Sequence, residues 1–360
     1  MNLRRLGTVI GIELRQRVRS VGWYVLLGVF FVILVGVLVL SFASFALGGG
    51  GNEWFFSLVI MLVLLLVLLV SPTLSGSAVN GDRDAATLAP VQVTLVTTVE
   101  IVIGKFLAAW ISGLAFLVVA VPFLIVATAA GGLNPGVILA SLGILVLEVG
   151  VVAAIGVGFS AVVARPIFSV ASTYLVIAAL SIGTLIAFGL GGLAVRSEQV
   201  SISRDFDWNA LPEGCAPGAL DGSTECPRYD ELPCVESRYT TDVPRFDRVW
   251  WILAANPFVI LADATPPTYV DGYPRDLFSQ IAFSVRVAQK SPETETRFDG
   301  CVAPDASWSS ETPEEQLDGT VPSWFVGLLV QVLIAAGLLT WGIARTRTPA
   351  KRLPPGTRIA

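Results

Sequence analysis

Residues 21–46 read VGWYVLLGVFFVILVGVLVLSFASFA, 26 positions without an acid, a base, an amide or a proline. A helix rises about 1.5 Å per residue, so this stretch exceeds a hydrocarbon core of about 30 Å. Five further runs have the same character: Trp54–Leu74, Phe106–Ala130, Val137–Ala164, Ile167–Val195 and Val321–Ala344. Glu148 is the one ionisable acid or base inside the six. Across the 360 residues, 54% are hydrophobic and 14% charged, where a soluble domain is nearer a quarter charged. The first run is too long for the apolar part of a signal peptide, and five more spans follow it. Arg4-Arg5 is not a twin-arginine signal, because Glu13, Arg15, Arg17 and Arg19 stand before the apolar run. The chain reads as an all-α polytopic membrane protein with six transmembrane helices.

Six spans put both termini on one side. The segments on that side, 1–20, 75–105, 165–166 and 345–360, hold thirteen Lys and Arg, among them Arg4, Arg83, Lys105, Arg165 and Arg345. The short connections opposite, Leu47–Glu53 and Gly131–Gly136, hold none. Basic short loops stay in the cytoplasm, so both termini are expected there. The one long connection, 196–320, is then a large extracellular insertion between helices 5 and 6. It carries 22 acids and 10 bases, a formal net charge of −12, and long domains translocate whatever their charge. All four cysteines, Cys215, Cys226, Cys234 and Cys301, fall inside it. An even number confined to the predicted exterior points to two disulfides, with Cys215–Cys226 and Cys234–Cys301 favoured among three connectivities. Zinc is disfavoured, since no C-x-x-C spacing and no histidine is present.

The organisation follows. Residues 1–20 form a basic amphipathic helix, with Leu3, Leu6, Ile10, Leu14 and Val18 at three- and four-residue steps. Residues 21–195 are helices 1–5, with a cytoplasmic loop at 75–105. Within the insertion, residues 250–262 form an apolar run too short to span, expected as a re-entrant or interfacial segment split at Pro257. Ala303–Thr320, rich in Ser, Glu, Asp and Pro, reads as disordered. Residues 321–344 are helix 6, and 345–360 a cytoplasmic basic tail. Arginine outnumbers lysine 20 to 3, the bias of a GC-rich bacterial genome, which places the chain in a bacterial cell membrane.

Absences narrow the chemistry. Without histidine there is no Ser-His-Asp triad, no H-E-x-x-H helix and no haem histidine. Gly104-Lys105 lacks the upstream glycine of a nucleotide-binding loop and is followed by Phe106. No cofactor or metal is expected on this chain, and no basic patch interleaved with aromatics points to nucleic acid.

The informative stretch is Gly81–Lys105, GDRDAATLAPVQVTLVTTVEIVIGK. It resembles the segment of ABC-2-type permeases between their second and third spans, where an acidic-Arg-acidic cluster precedes Gly-Thr-Leu and the stretch ends in Gly-Lys. Arg83, Asp84, Thr87, Leu88, Gly104 and Lys105 match; Ala86 stands in place of the glycine and Ala89 in place of an acid. The amphipathic N-terminus with Glu13-Leu14-Arg15, the six spans and Asn256-Pro257 extend the resemblance over the chain's layout. It implies the transmembrane subunit of an exporter that encloses the pathway with a second permease, identical by preference. A separate cytoplasmic ATPase would bind ATP and Mg and drive it. Gly81, Asp82, Arg83, Asp84, Thr87 and Leu88 would then contact the ATPase, with Arg165 as a second contact. The rival reading is a membrane-anchored receptor or scaffold whose acidic exterior binds a partner. An intramembrane enzyme is disfavoured by the missing histidine. Glu148 belongs either to the translocation pathway or to the bundle interior, since a charge at that depth is expensive.

Overall fold

The computed structural model describes residues 2–48, 53–85, 96–131, 134–210, 232–301 and 312–346. The helices in chain order are α1 (Leu3–Val18), α2 (Val21–Gly48), α3 (Glu53–Ser75), α4 (Asn80–Asp84), α5 (Thr98–Gly131) and α6 (Pro135–Val162). The fifth span is two helices, α7 (Pro166–Ala178) and α8 (Thr184–Ala194), joined by a π turn at Ala179–Gly183. There follow α9 (Trp250–Ala254), α10 (Pro257–Ala264), α11 (Leu277–Val287) and α12 (Trp324–Thr346). Six helical segments among the described residues are long and apolar enough to cross a membrane. This is a multi-pass membrane architecture.

The main difference from the sequence reading is where the third span starts. The helix begins two turns before Phe106, because Thr97 and Glu100 form a capping box. Glu100 Oε2 accepts from Thr97 N (2.9 Å) and Thr97 Oγ1 accepts from Glu100 N (3.3 Å). Glu100 and Lys105 therefore stand inside the helix, not in a loop.

The middle of the bundle is α6, buried along most of its length and packed on α3, α5, α10 and α12. Close approach needs small residues where helices cross. A Cβ at Gly158 would stand 2.7 Å from Leu338 of α12, and one at Gly342 the same order from Ala161, at 2.6 Å. At the edge, α2 packs through Leu34 and through aromatic edges, Trp23 and Phe30 each 5.3 Å from Phe116 of α5. Its remaining face exposes Val25, Val29 and Val32, and the fifth span exposes Leu175, Ile182 and Leu190. Such faces suit lipid tails.

The membrane portion is helical, while the insertion adds a sheet that hydrophobic alternation does not announce. The strands are β1 (Arg196–Phe206), β2 (Cys234–Pro244), β3 (Tyr269–Val270), β4 (Tyr273–Pro274) and β5 (Glu295–Asp299). β1 pairs antiparallel with β2, from Arg196 opposite Pro244 to Phe206 opposite Cys234, and parallel with β5. The Cys234–Cys301 disulfide closes one end of this three-stranded sheet. Cys215 and Cys226 lie outside the described residues. Of the stretch read as disordered, residues 312–320 are instead a turn seated on the β3–β4 hairpin, with Glu314 N donating to Gly272 O at 3.1 Å.

The apolar run divides into α9 and α10 at Ala255-Asn256, and α10 packs against α6, α11 and α12. Asn256 caps α10, accepting from Phe258 N at 2.9 Å. Its Nδ2 donates to Ser181 O (2.6 Å) and Thr184 Oγ1 (3.0 Å), which supplies a partner for backbone freed by the π turn. At the far end Asp263, fully buried, accepts from Arg286 Nε (2.6 Å), Ser323 Oγ (2.9 Å), Ser323 N and Trp324 N (3.1 Å). One carboxylate thus caps the last span and ties it to α10 and α11.

Candidate functional site

The described residues of the 81–105 segment gather with α1 at the end of the bundle where α1, α4 and the chain-terminal ends of the spans meet. The site is assembled from α1 upward. Asn2 caps α1 by accepting from Arg4 N (3.0 Å), and its own N–H donates to Glu100 Oε1 at 2.6 Å. Leu6 is buried and Val9, Ile10, Glu13, Leu14 and Arg17 are half-buried, one face at helical spacing, and this face packs on α5. Leu3 and Val18, read from sequence as part of the apolar stripe, are exposed. Gly104 permits the approach, since a Cβ there would stand 2.7 Å from Val9 Cγ1.

Lys105, the next residue, is 3% exposed and forms ion pairs with Glu13 of α1 and with Asp82 Oδ2 of α4, the latter at 2.7 Å. A buried ammonium is tolerable only when paired and hydrogen-bonded, and two carboxylates supply that. Arg17 Nη2 donates to Leu74 O at 2.7 Å, satisfying a carbonyl at the end of α3. Burial pulls the Arg17 guanidinium below its ordinary value, with the Glu13 carboxylate opposing.

A second set ties α4 to the ends of α6 and α12. Ser160 Oγ accepts from Val79 N (2.8 Å) and Asn80 N (3.1 Å) and donates to Asn80 Oδ1 (3.0 Å), while Asn80 Nδ2 donates to Val163 O (3.1 Å). Arg83 Nη2 donates to Ala161 O (3.3 Å) and Thr346 Oγ1 (3.2 Å).

Of the sequence-predicted contact residues, Asp82 and Arg83 thus turn toward the chain itself, and Gly81 is half-buried. Asp84 and Arg165 are exposed, with Ile167 and Phe168 exposed just beyond Arg165. Thr87 and Leu88 lie outside the described residues. Glu148 is 1% exposed and sits within the bundle of this chain. The reading from sequence missed Glu100, Asn80 and Ser160. The Thr97-x-x-Glu100 box was a usable signal for the first, whereas nothing local marks the other two. No family model and no curated protein matches the chain.

Proposed function

We propose that this chain is the membrane subunit of an ABC-type exporter, with its terminal face in the cytoplasm. A separate ATPase would dock there and drive it, and a second copy of the chain would complete the pathway. The observation that supports this reading best is the buried Glu13–Lys105–Asp82 set. It joins both ends of the segment that resembles a coupling loop and fastens them to α1, so a push on the loop would reach α5 and α1 together. The distribution of bases supports the orientation, because the terminal segments hold thirteen and the short opposite connections none. The disulfide in the insertion accords with an oxidising exterior.

In this reading Asp84 and Arg165 are the contact charges, because Asp82 and Arg83 are occupied within the chain. Reversing a charge at a complementary interface sets like charges together and weakens association. Asp84→Arg therefore lowers the yield of complex with the co-expressed ATPase by about tenfold, the equivalent of roughly 1.4 kcal/mol, and leaves membrane insertion unchanged. An undiminished yield for Asp84→Arg, Arg165→Glu and the double variant counts against docking at this face.

A further inference from the structure

Four irregular or polar features converge inside the bundle: the π turn of the fifth span, the break before α10, Glu148 of α6 and Gln331 of α12. Between them lies a cavity with room for about one water, bounded by Leu180, Pro257 and aliphatic side chains of α6. Non-helical backbone at membrane depth is tolerated where it is buried in protein or lines a cavity. Glu148 and Gln331 are the polar side chains lining it, and each is 1% exposed. Gln331 Nε2 donates to Ala255 O at 3.0 Å, so the amide leaves its oxygen over. Among the described residues, neither Glu148 Oε1 nor Gln331 Oε1 has a hydrogen-bond partner. Two acceptors cannot satisfy each other, and the described lining residues offer no further donor.

The missing donor carries positive charge if the carboxylate is to be neutralised, because an isolated ionised carboxylate in an apolar interior is prohibitive. Among the described residues, no Lys or Arg lines the cavity. Of the other titratable groups on the packed elements, Tyr174 of α7 donates to Leu69 O, Asp263 of α10 is paired with Arg286, and Glu53 stands at the first residue of α3. Glu100 and Lys105 are engaged at the α1 end of α5, and Arg345 lies in the last turn of α12. A metal cation such as Mg or Ca takes about six oxygens or more, and two side-chain oxygens among aliphatic walls do not provide them.

We propose that this cavity is an intramembrane proton-binding site. One proton taken from water sits on the Glu148 carboxyl, which then donates to Gln331 Oε1 directly or through a single internal water. Because Gln331 also holds Ala255 O, the bound proton stabilises the break between α9 and α10. The site stands on these residues alone and does not depend on the ATPase reading.

The test is infrared spectroscopy of the full chain in lipid nanodiscs. The expected result is a carboxylic-acid C=O band that is lost in Glu148→Gln, shifts on transfer to deuterated water and disappears as pH is raised. Gln331→Leu shifts that band, because the acid loses its partner. If Glu148→Gln does not insert, ¹³C-labelled glutamate in the wild type and in Gln331→Leu makes the same assignment. Absence of such a band at every pH overturns the proposal. So does a band indifferent to pH and deuterium, which marks a sealed acid, or one abolished by Na⁺ at fixed pH, which marks a metal-cation site.

Discussion

Lys105 sets the energetics of the terminal face. Removing one member of a buried ion pair leaves its partner charged and uncompensated, at a cost of about 3–5 kcal/mol. Lys105→Met is expected to cost that much in detergent unfolding followed by tryptophan fluorescence. Asp82→Asn costs about 1 kcal/mol or less, because the Asp82 side chain is 33% exposed and water screens it. Glu13→Gln combined with Lys105→Met loses less than the sum, since the two groups interact directly. Equal losses for Lys105→Met and Asp82→Asn would remove the lysine from its central place. Sequence made Lys105 visible through Gly104-Lys105 and Glu13 through Glu13-Leu14-Arg15. Their pairing across 92 residues was not visible, because it depends on α1 folding back along α5. Glu100 was legible in principle, as its capping box is local.

At the scale of elements, the split apolar run shows what a proline does and does not decide. Pro257 announces a helix start, where its missing N–H costs nothing. What holds the break open is Asn256, which caps α10 and reaches the π turn. Asn256→Leu removes two donated bonds and a cap and leaves Ser181 O with only the long bond from Thr184 Oγ1 (3.5 Å). The expected loss is about 2–4 kcal/mol. Pro257→Ala keeps the division, so hydrogen exchange around Ala255 and Asn256 stays as in wild type. Slowed exchange there, marking one continuous helix, would shift the cause from Asn256 to the proline. The π turn itself was illegible, for residues 178–184 read AALSIGT with no proline and with only Gly183, one of several glycines in this span, and its stabilising donor is more than seventy positions away. The strands were missed for a different reason. β2 is exposed over most of its length and β1 alternates only briefly, at Val200 and Ile202 between polar stretches, so neither carries the sustained alternation of a half-buried strand. Of the cysteines, sequence offered three pairings and favoured one of them, and Cys234–Cys301 belongs to that favoured set.

For the whole molecule, six spans were legible because the hydrocarbon core demands long uncharged runs and little else in the chain competes with them. Orientation rests on charge asymmetry and is checked by cysteine substitution in intact cells, with wild type as the blank. An impermeant maleimide is expected to modify Ser237→Cys and to spare Ala85→Cys until the cells are opened. Modification of residue 85 from outside would invert the topology and move α1 and α4 away from any cytoplasmic partner. The central claim is that this chain transmits ATP-driven work received at its terminal face. It is tested most directly by co-expressing the chain with any ABC ATPase encoded beside it, purifying the pair and measuring ATP turnover in nanodiscs. The account predicts a stable complex whose turnover depends on this chain and falls in Asp84→Arg. An ATPase that neither co-purifies with the wild-type chain nor changes its turnover in its presence would contradict it.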